Sequence, residues 1–201
     1  MSGLFGLGQS LLLALPPERA HDLAVKSLEL GLYPRADTPD DERLAQHLFG
    51  LDFANPVGMA AGFDKDARVP RELLAMGFGF VEVGTLTPRA QSGNPAPRMF
   101  RSMADRAVIN RLGFNNEGAT AIAARLANLR ALGKLPGIPL GVNIGRTKIV
   151  ETKDAVADFL TTFEKLFAHA DFFTLNVSSP NTPGLRELQD KESLRKLLTQ
   201  L

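Results

Sequence analysis

Leu140-Gly141-Val142-Asn143-Ile144-Gly145 is the stretch on which the fold turns. Its apolar run, Leu140–Ile144, is short and lacks helical periodicity, and it lies between two segments that have it. Before it, Glu117–Leu132 places Ala121, Ala124, Leu126 and Leu129 at spacings that suit a closely packed helix. After it, Asp154–Ala168 reads as a helix and Phe172–Val177 as the next strand. The alternation continues outward. Upstream, Val57–Ala61 precedes a helix near Ala67–Met76, and Phe80–Val83 follows a Gly77-Phe78-Gly79 turn. Downstream, Lys191–Leu201 reads as a further helix. Near-continuous apolar strands separated by helices predict an α/β fold with a parallel sheet buried on both faces.

Three segments stand outside this alternation. In the first 35 residues, Leu4, Leu7, Leu11 and Leu15 recur at helical spacing, and after Pro16-Pro17 a second pattern runs through Ala20, Leu23, Ala24, Ser27 and Leu28. Pro17 suits a first helical position, with Glu18 at the positive end of the helix dipole. Neither stretch reaches the roughly 18 apolar residues of a membrane span. The pair reads either as a helical hairpin covering the core or as an interfacial pair lying on a membrane. Gly50–Pro56 looks like a short hairpin leading inward, and Thr87–Asn115, rich in Arg, Pro, Gly and Asn, is expected to be a site-covering loop or hairpin.

Composition narrows the chemistry. The 201 residues are 44% hydrophobic and 22% charged, with 23 Lys+Arg against 22 Asp+Glu, so no basic face points to nucleic acid. There is no cysteine, hence no disulfide, thiolate metal site or cysteine nucleophile, and His21, His47 and His169 are too scattered for a histidine-built metal site.

The strand candidates all end in glycine or small polar residues: Ala60-Ala61-Gly62-Phe63-Asp64-Lys65, Gly84-Thr85, Asn143-Ile144-Gly145 and Asn176-Val177-Ser178-Ser179-Pro180-Asn181. Ligands of α/β folds bind at the carboxyl ends of strands, so the four ends imply one composite site. Ala61-Gly62 lets backbone approach something flat. Thr85, Asn143 and Asn176 both donate and accept, which suits a heterocycle edged with carbonyl and NH groups, and Lys65 supplies a positive charge. No phosphate-binding Gly-x-x-x-x-Gly-Lys and no His–Ser combination is present, which favours redox chemistry on a planar cofactor.

Five longer motifs then carry a resemblance: Asn55–Lys65, Val83–Pro88, Gly93–Arg98, Asn110–Asn116 and Asn176–Arg186. Together they resemble dihydroorotate dehydrogenases, specifically the class 2, quinone-dependent, membrane-associated type, and the likeness extends to Pro17–His21. The resemblance implies an FMN-containing (β/α)8 TIM barrel that oxidises dihydroorotate to orotate in pyrimidine synthesis, with a base removing a proton from C5 while hydride leaves C6 for flavin N5. It puts Ser179 in the place of the class 2 base, where class 1 relatives use cysteine. A serine hydroxyl so placed has to pass its proton onward; without the motif, the same hydroxyl reads as the cap of a strand–helix loop. By the same resemblance, Ala61, Gly62, Phe63, Asp64, Lys65, Thr85, Asn143 and Asn176 hold FMN. Lys65, Asn110, Arg111, Leu112, Gly113, Phe114, Asn176 and Asn181 hold the substrate, and Pro180–Gly184 acts as a lid. Arg98, Arg101 and Arg106 read as solvated charges. The N-terminal helices are expected to form the quinone entrance, with His21 either lining it or simply on a helix surface.

The implied division is a helical membrane and quinone segment at 1–45 followed by a barrel portion at 46–201, the whole seated peripherally on the cytoplasmic face of a bacterial membrane. Only about the first four βα units of the barrel are readable, and the second half is expected to lie outside this chain. The alternative is that the chain by itself is a non-catalytic fragment or assembly module that cannot retain FMN.

Overall fold

The computed structural model describes residues 2–135 and 137–201, with the side chains of 2–5 and 7 outside the description, so the parts taken by Leu4 and Leu7 in helix packing lie beyond it. Two helices open the chain, α1 (Ser2–Ala14) and α2 (Pro17–Glu29), and Pro17 takes the first turn of α2 as its fixed φ favours. An antiparallel hairpin follows, β1 (Gln46–Leu48) with β2 (Leu51–Phe53). Its two-residue turn puts Phe49 and Gly50 at positive φ, the geometry that matches strand twist. The hairpin therefore starts four residues before the Gly50–Pro56 segment that suggested it.

The body is a four-stranded parallel sheet in the order β3 (Gly58–Met59), β4 (Phe80–Leu86), β7 (Leu140–Gly145) and β8 (Phe172–Asn176). Between these strands run α3 (Pro70–Ala75), α4 (Ala119–Ala131) and α5 (Ala155–Leu166), and α6 (Lys191–Gln200) follows β8. Val81, Val83, Leu86, Leu140, Val142 and Ile144 turn one face of the sheet toward the helices and are buried with Leu73, Ile122, Leu126, Phe159 and Leu166. Period-2 alternation sends the intervening residues to the other face. Thr87–Asn115 contains the second antiparallel hairpin, β5 (Met99–Ser102) with β6 (Ala107–Asn110).

Two elements differ from their expected bounds for local reasons. The first parallel strand is only Gly58–Met59 because the chain after it wraps over the end of β4, where Gly62 N–H donates to Gly84 O at 2.8 Å and Gly84 N–H to Asp64 O at 3.0 Å. Helix α3 starts at Pro70 rather than Ala67, since Ala67 has φ 52°, outside the helical region.

Candidate active site

The carboxyl halves of β4, β7 and β8 carry a hydrogen-bonded polar layer. Thr85 Oγ1 donates to Asn143 Oδ1 at 2.6 Å, and Asn176 Nδ2 donates to Thr85 Oγ1 at 3.1 Å and Asn143 Oδ1 at 3.2 Å. Asn143 Nδ2 in turn donates to Glu82 Oε1 at 2.6 Å. Neighbouring strands thus present their amides and hydroxyls already oriented, which is the condition for polar groups to act on a ligand without reorganising. Glycine makes the close approach possible: a Cβ on Gly84, whose φ is 113°, would stand 2.5 Å from the Asn143 carbonyl oxygen.

Above this layer is a cavity of about 460 Å³. Of the residues proposed for cofactor and substrate, Ala61, Gly62, Lys65, Thr85, Asn110, Leu112, Gly113, Phe114, Asn176, Ser179 and Asn181 line it together. Asn143 lies beneath them in the polar layer. Phe63 and Asp64 point away. The Asp64 carboxylate, 2% exposed, accepts the amides of Arg68 and Val69 at 2.8 Å each and so shapes the loop into α3. Arg111 lies outside the cavity, donating to Pro97 O at 3.0 Å with its guanidinium 6.0 Å from the Phe100 ring centroid.

Electrostatics mark one group on the cavity wall. Lys65 makes no side-chain hydrogen bond or ion pair among the described residues, and burial pushes its pKa below the ordinary lysine value, while Asp66 and Glu18 pull it back. Burial likewise raises Asp64 and Asp66 above the usual carboxylate range. Ser179 is half-buried, and its Oγ accepts the Asn181 amide at 3.2 Å. Among the described residues there is no acidic or histidine cluster able to hold a metal.

A second, apolar groove of about 630 Å³ lies between the opening helices and the body. Leu11, Leu12, Leu23, Tyr33, Met59 and Phe63 are among its walls, so Phe63 stands between this groove and the loop that edges the main cavity. His21 meets the same residue from α2. Its Nε2 donates to the Phe63 carbonyl at 2.6 Å, and the two rings are edge to face at 5.3 Å. No helix among the described residues is long and apolar enough to cross a membrane.

Residues 43–201 match the family model described as dihydroorotate dehydrogenase. The chain belongs to that family. It is 54% identical over 200 residues to a dihydroorotate dehydrogenase (quinone) of Agrobacterium fabrum, covering 99% of this chain and 53% of that protein. With a protein of the same name from Acidithiobacillus ferrooxidans it shares 52% identity over 204 residues, covering 96% of this chain and 54% of the other. Among solved structures, that of the Eimeria tenella enzyme in complex with ferulenol aligns with a TM-score of 0.86 at 44% identity, over 92% of this chain and 50% of that one. The chain therefore spans about half the length of the curated relatives it matches.

Family membership leaves several structural residues unaccounted for by the motif reading. Gln91 Nε2 donates to the carbonyls of Gly113 (3.1 Å) and Phe114 (3.0 Å), and its Oε1 accepts the Lys148 amide at 3.1 Å. Asn94 holds the carbonyl of Arg111 through its side chain at 2.8 Å and that of Leu112 through its amide at 2.9 Å. Together they fix the backbone of the predicted substrate segment. Arg98 and Arg101, expected to be solvated, are not. Arg98 pairs with Glu18 of α2 at 2.6 Å and also donates to Ser92 O and Asn94 O, while Arg101 donates to the carbonyls of Leu12, Leu13 and Leu15 at the end of α1. The exposed carbonyls of a helix C-terminus attract a cation, which is the physical reason for the Arg101 contact.

Proposed function

We propose that this chain forms the dihydroorotate-oxidising site of an FMN-dependent, quinone-reducing dehydrogenase of pyrimidine biosynthesis. The observation that carries the reading is the half-buried Lys65 ammonium, without a hydrogen-bond or ion-pair partner among the described residues, on a cavity wall that also bears Asn110, Asn176, Asn181 and the Ser179 hydroxyl. A fixed cation beside paired amides suits a small, flat, carbonyl-edged acid.

The residues present fit a flavin ring. Ala61, Gly62 and Gly84 offer nearly bare backbone to the cavity, and open space of at least 4 Å surrounds the position a Cβ of Gly62 would take. A planar ring can therefore approach the main chain there, with Thr85 and Asn176 beside it. FMN, when bound, supplies the hydride-accepting ring. Ser179 takes the proton from C5 of dihydroorotate and passes it onward, a task in which a hydroxyl depends on the charge stabilisation that Lys65 gives the substrate. Asn110, Asn176 and Asn181 orient the pyrimidine edge, Phe114 and Leu112 wall it in, and the Pro180–Gly184 segment shields it from water.

The fold and groove extend the reading. The four parallel strands are the first four of an eight-stranded barrel, covered by the 1–45 helical segment as a hairpin. The apolar groove beside Phe63 receives the quinone, and the same helices rest on the cytoplasmic face of the membrane. Full-length flavin-loaded protein mixed anaerobically with dihydroorotate tests this: the flavin absorbance should bleach, and a soluble quinone should restore it. Absence of bleaching overturns the activity. Equally fast recovery with fumarate overturns the choice of acceptor.

A further inference from the structure

The loop after β7 carries a buried cation that the proposed chemistry does not use. Arg146, the first residue beyond the strand, is 3% exposed. Its Nη1 donates to the Val150 carbonyl and, at 3.4 Å, to Thr152 Oγ1, and its Nη2 donates to the Pro183 carbonyl. Its Nε has no hydrogen-bond partner among the described residues. The neighbouring carboxylate, Asp158, is engaged elsewhere, accepting the Thr147 amide at 2.6 Å and the Thr147 hydroxyl at 3.0 Å. Burying a guanidinium without a contacting carboxylate is costly, so something else has to offset it.

What Arg146 joins supplies the reason. Its partners are oxygens of two loops, one after β7 and one after β8. The second loop, Ser178–Gly184, is the one that sets Ser178, Ser179, Pro180 and Asn181 along the cavity. Its first half is tied to its own neighbourhood, Ser178 N–H donating to Asn176 Oδ1 at 3.3 Å and Arg186 Nε donating to Ser178 O at 2.9 Å. Beyond the helical turn that follows it, the second half is held from elsewhere in the fold, among the described residues, by Arg146 on Pro183 O and by Thr152 Oγ1 on Gly184 O at 3.5 Å.

We propose that Arg146 is a positioning residue that ties the far side of the Ser179 loop to the β7–α5 loop and so sets where the Ser179 hydroxyl stands over the cavity. The proposal rests on the reading of this cavity as the dihydroorotate-oxidising site. Arg146 touches no substrate in this arrangement; it acts through the Pro183 carbonyl. A two-ended guanidinium bridges both loops at once, whereas a lysine in its place keeps the charge and reaches one of them.

The test uses full-length flavin-loaded protein carrying Arg146→Met or Arg146→Lys. Anaerobic reduction of the flavin by dihydroorotate is expected to slow by about 10- to 100-fold in R146M, the scale of a misplacement of about 1 Å in a reacting group, with R146K recovering part of the loss. Reoxidation by a soluble quinone should remain within about 2-fold of the parent, and flavin content per chain should be equal, because neither depends on the Ser179 loop. Full-rate reduction in R146M, or equal slowing of both half-reactions, overturns the proposal. If R146M does not accumulate, R146K and Thr152→Val, each of which removes part of the tie, carry the same comparison. Amide exchange at residues 178–184, measured on the same samples, separates the two levels of the argument. A parent protein that dihydroorotate cannot reduce sinks the reading of the function, and exchange then decides the anchoring: faster in R146K supports it, unchanged overturns it.

Discussion

The two ends of the same four strands are built from opposite materials. At the amino ends, aromatic rings lie over glycines of the preceding strand: Phe80 occupies the place a Gly58 side chain would take and Phe172 that of Gly141, each ring within 2.2 Å of the would-be Cβ. Phe53 of the β1–β2 hairpin joins them, edge to face with Phe80 at 5.6 Å, and Phe80 stands 6.3 Å from Phe172. At the carboxyl ends the same sheet face carries Asn143, Thr85 and Asn176, hydrogen-bonded to one another with a cavity above. Two residues along β7, from Gly141 to Asn143, separate these environments, a rise of about 7 Å. A parallel strand can thus serve packing at one end and chemistry at the other, which is why site residues of such folds gather on one face.

If that division is real, changes at the two ends should be read by different instruments. The largest effect is expected at the carboxyl end. Ser179→Ala should slow flavin reduction by dihydroorotate by about 10³-fold, the usual worth of a positioned base, with flavin content and thermal midpoint near those of the parent. Unchanged reduction would remove Ser179 from the base role. At the amino end, Phe80→Ala strips a ring that touches two others and covers Gly58, and should cost about 3 kcal/mol in denaturant unfolding while sparing the reduction rate of the folded fraction. Gly141→Ala is the milder version: the Phe172 ring has to move off its seat, for about 1–3 kcal/mol. A change in reduction rate equal to that of Ser179→Ala in either variant would break the division.

The legibility of the sequence follows the same line. Leu140–Ile144 and Phe172–Val177 are readable as strands because each is a short, mostly apolar run set between helical patterns, and their polar ends are readable because glycine, asparagine and serine there contrast with that run. The site motifs brought Lys65, Asn110, Asn176 and Ser179 to one cavity. What escaped was contact between distant parts of the chain. Arg98 meets Glu18 across 80 residues, and Arg101 meets the end of α1 across more than 80, with no local pattern to announce either. Gln91 carries no signal of its own, since a glutamine in a loop says nothing about which carbonyls it will find. The left-handed Ala67 was hidden for a related reason: its conformation is imposed by the buried Asp64 cap, not by alanine's preferences.

Asp64 offers the smallest and most discriminating test, because it asks whether the carboxyl end is held at a cost in stability. Burial raises its pKa above the ordinary value of 3.8, against the lowering pull of the Val69 and Arg68 amides. In the pH window from that unfolded value up to the raised folded one, the native protein keeps a proton that the unfolded chain has lost. Stability from this group therefore falls as pH rises through the window, and the cost is fully present above it. Asp64→Asn removes the titration but leaves one oxygen to serve two amides, a loss of about 1 kcal/mol. The two terms oppose each other. The variant should be less stable than the parent by about 1 kcal/mol at the acidic end of that window, where the native carboxyl still holds its proton, and should narrow the gap toward the alkaline end. A difference that stays constant across the window would mean that the buried carboxylate costs nothing, and that the polar end of the sheet is as much a stabilising structure as the aromatic one.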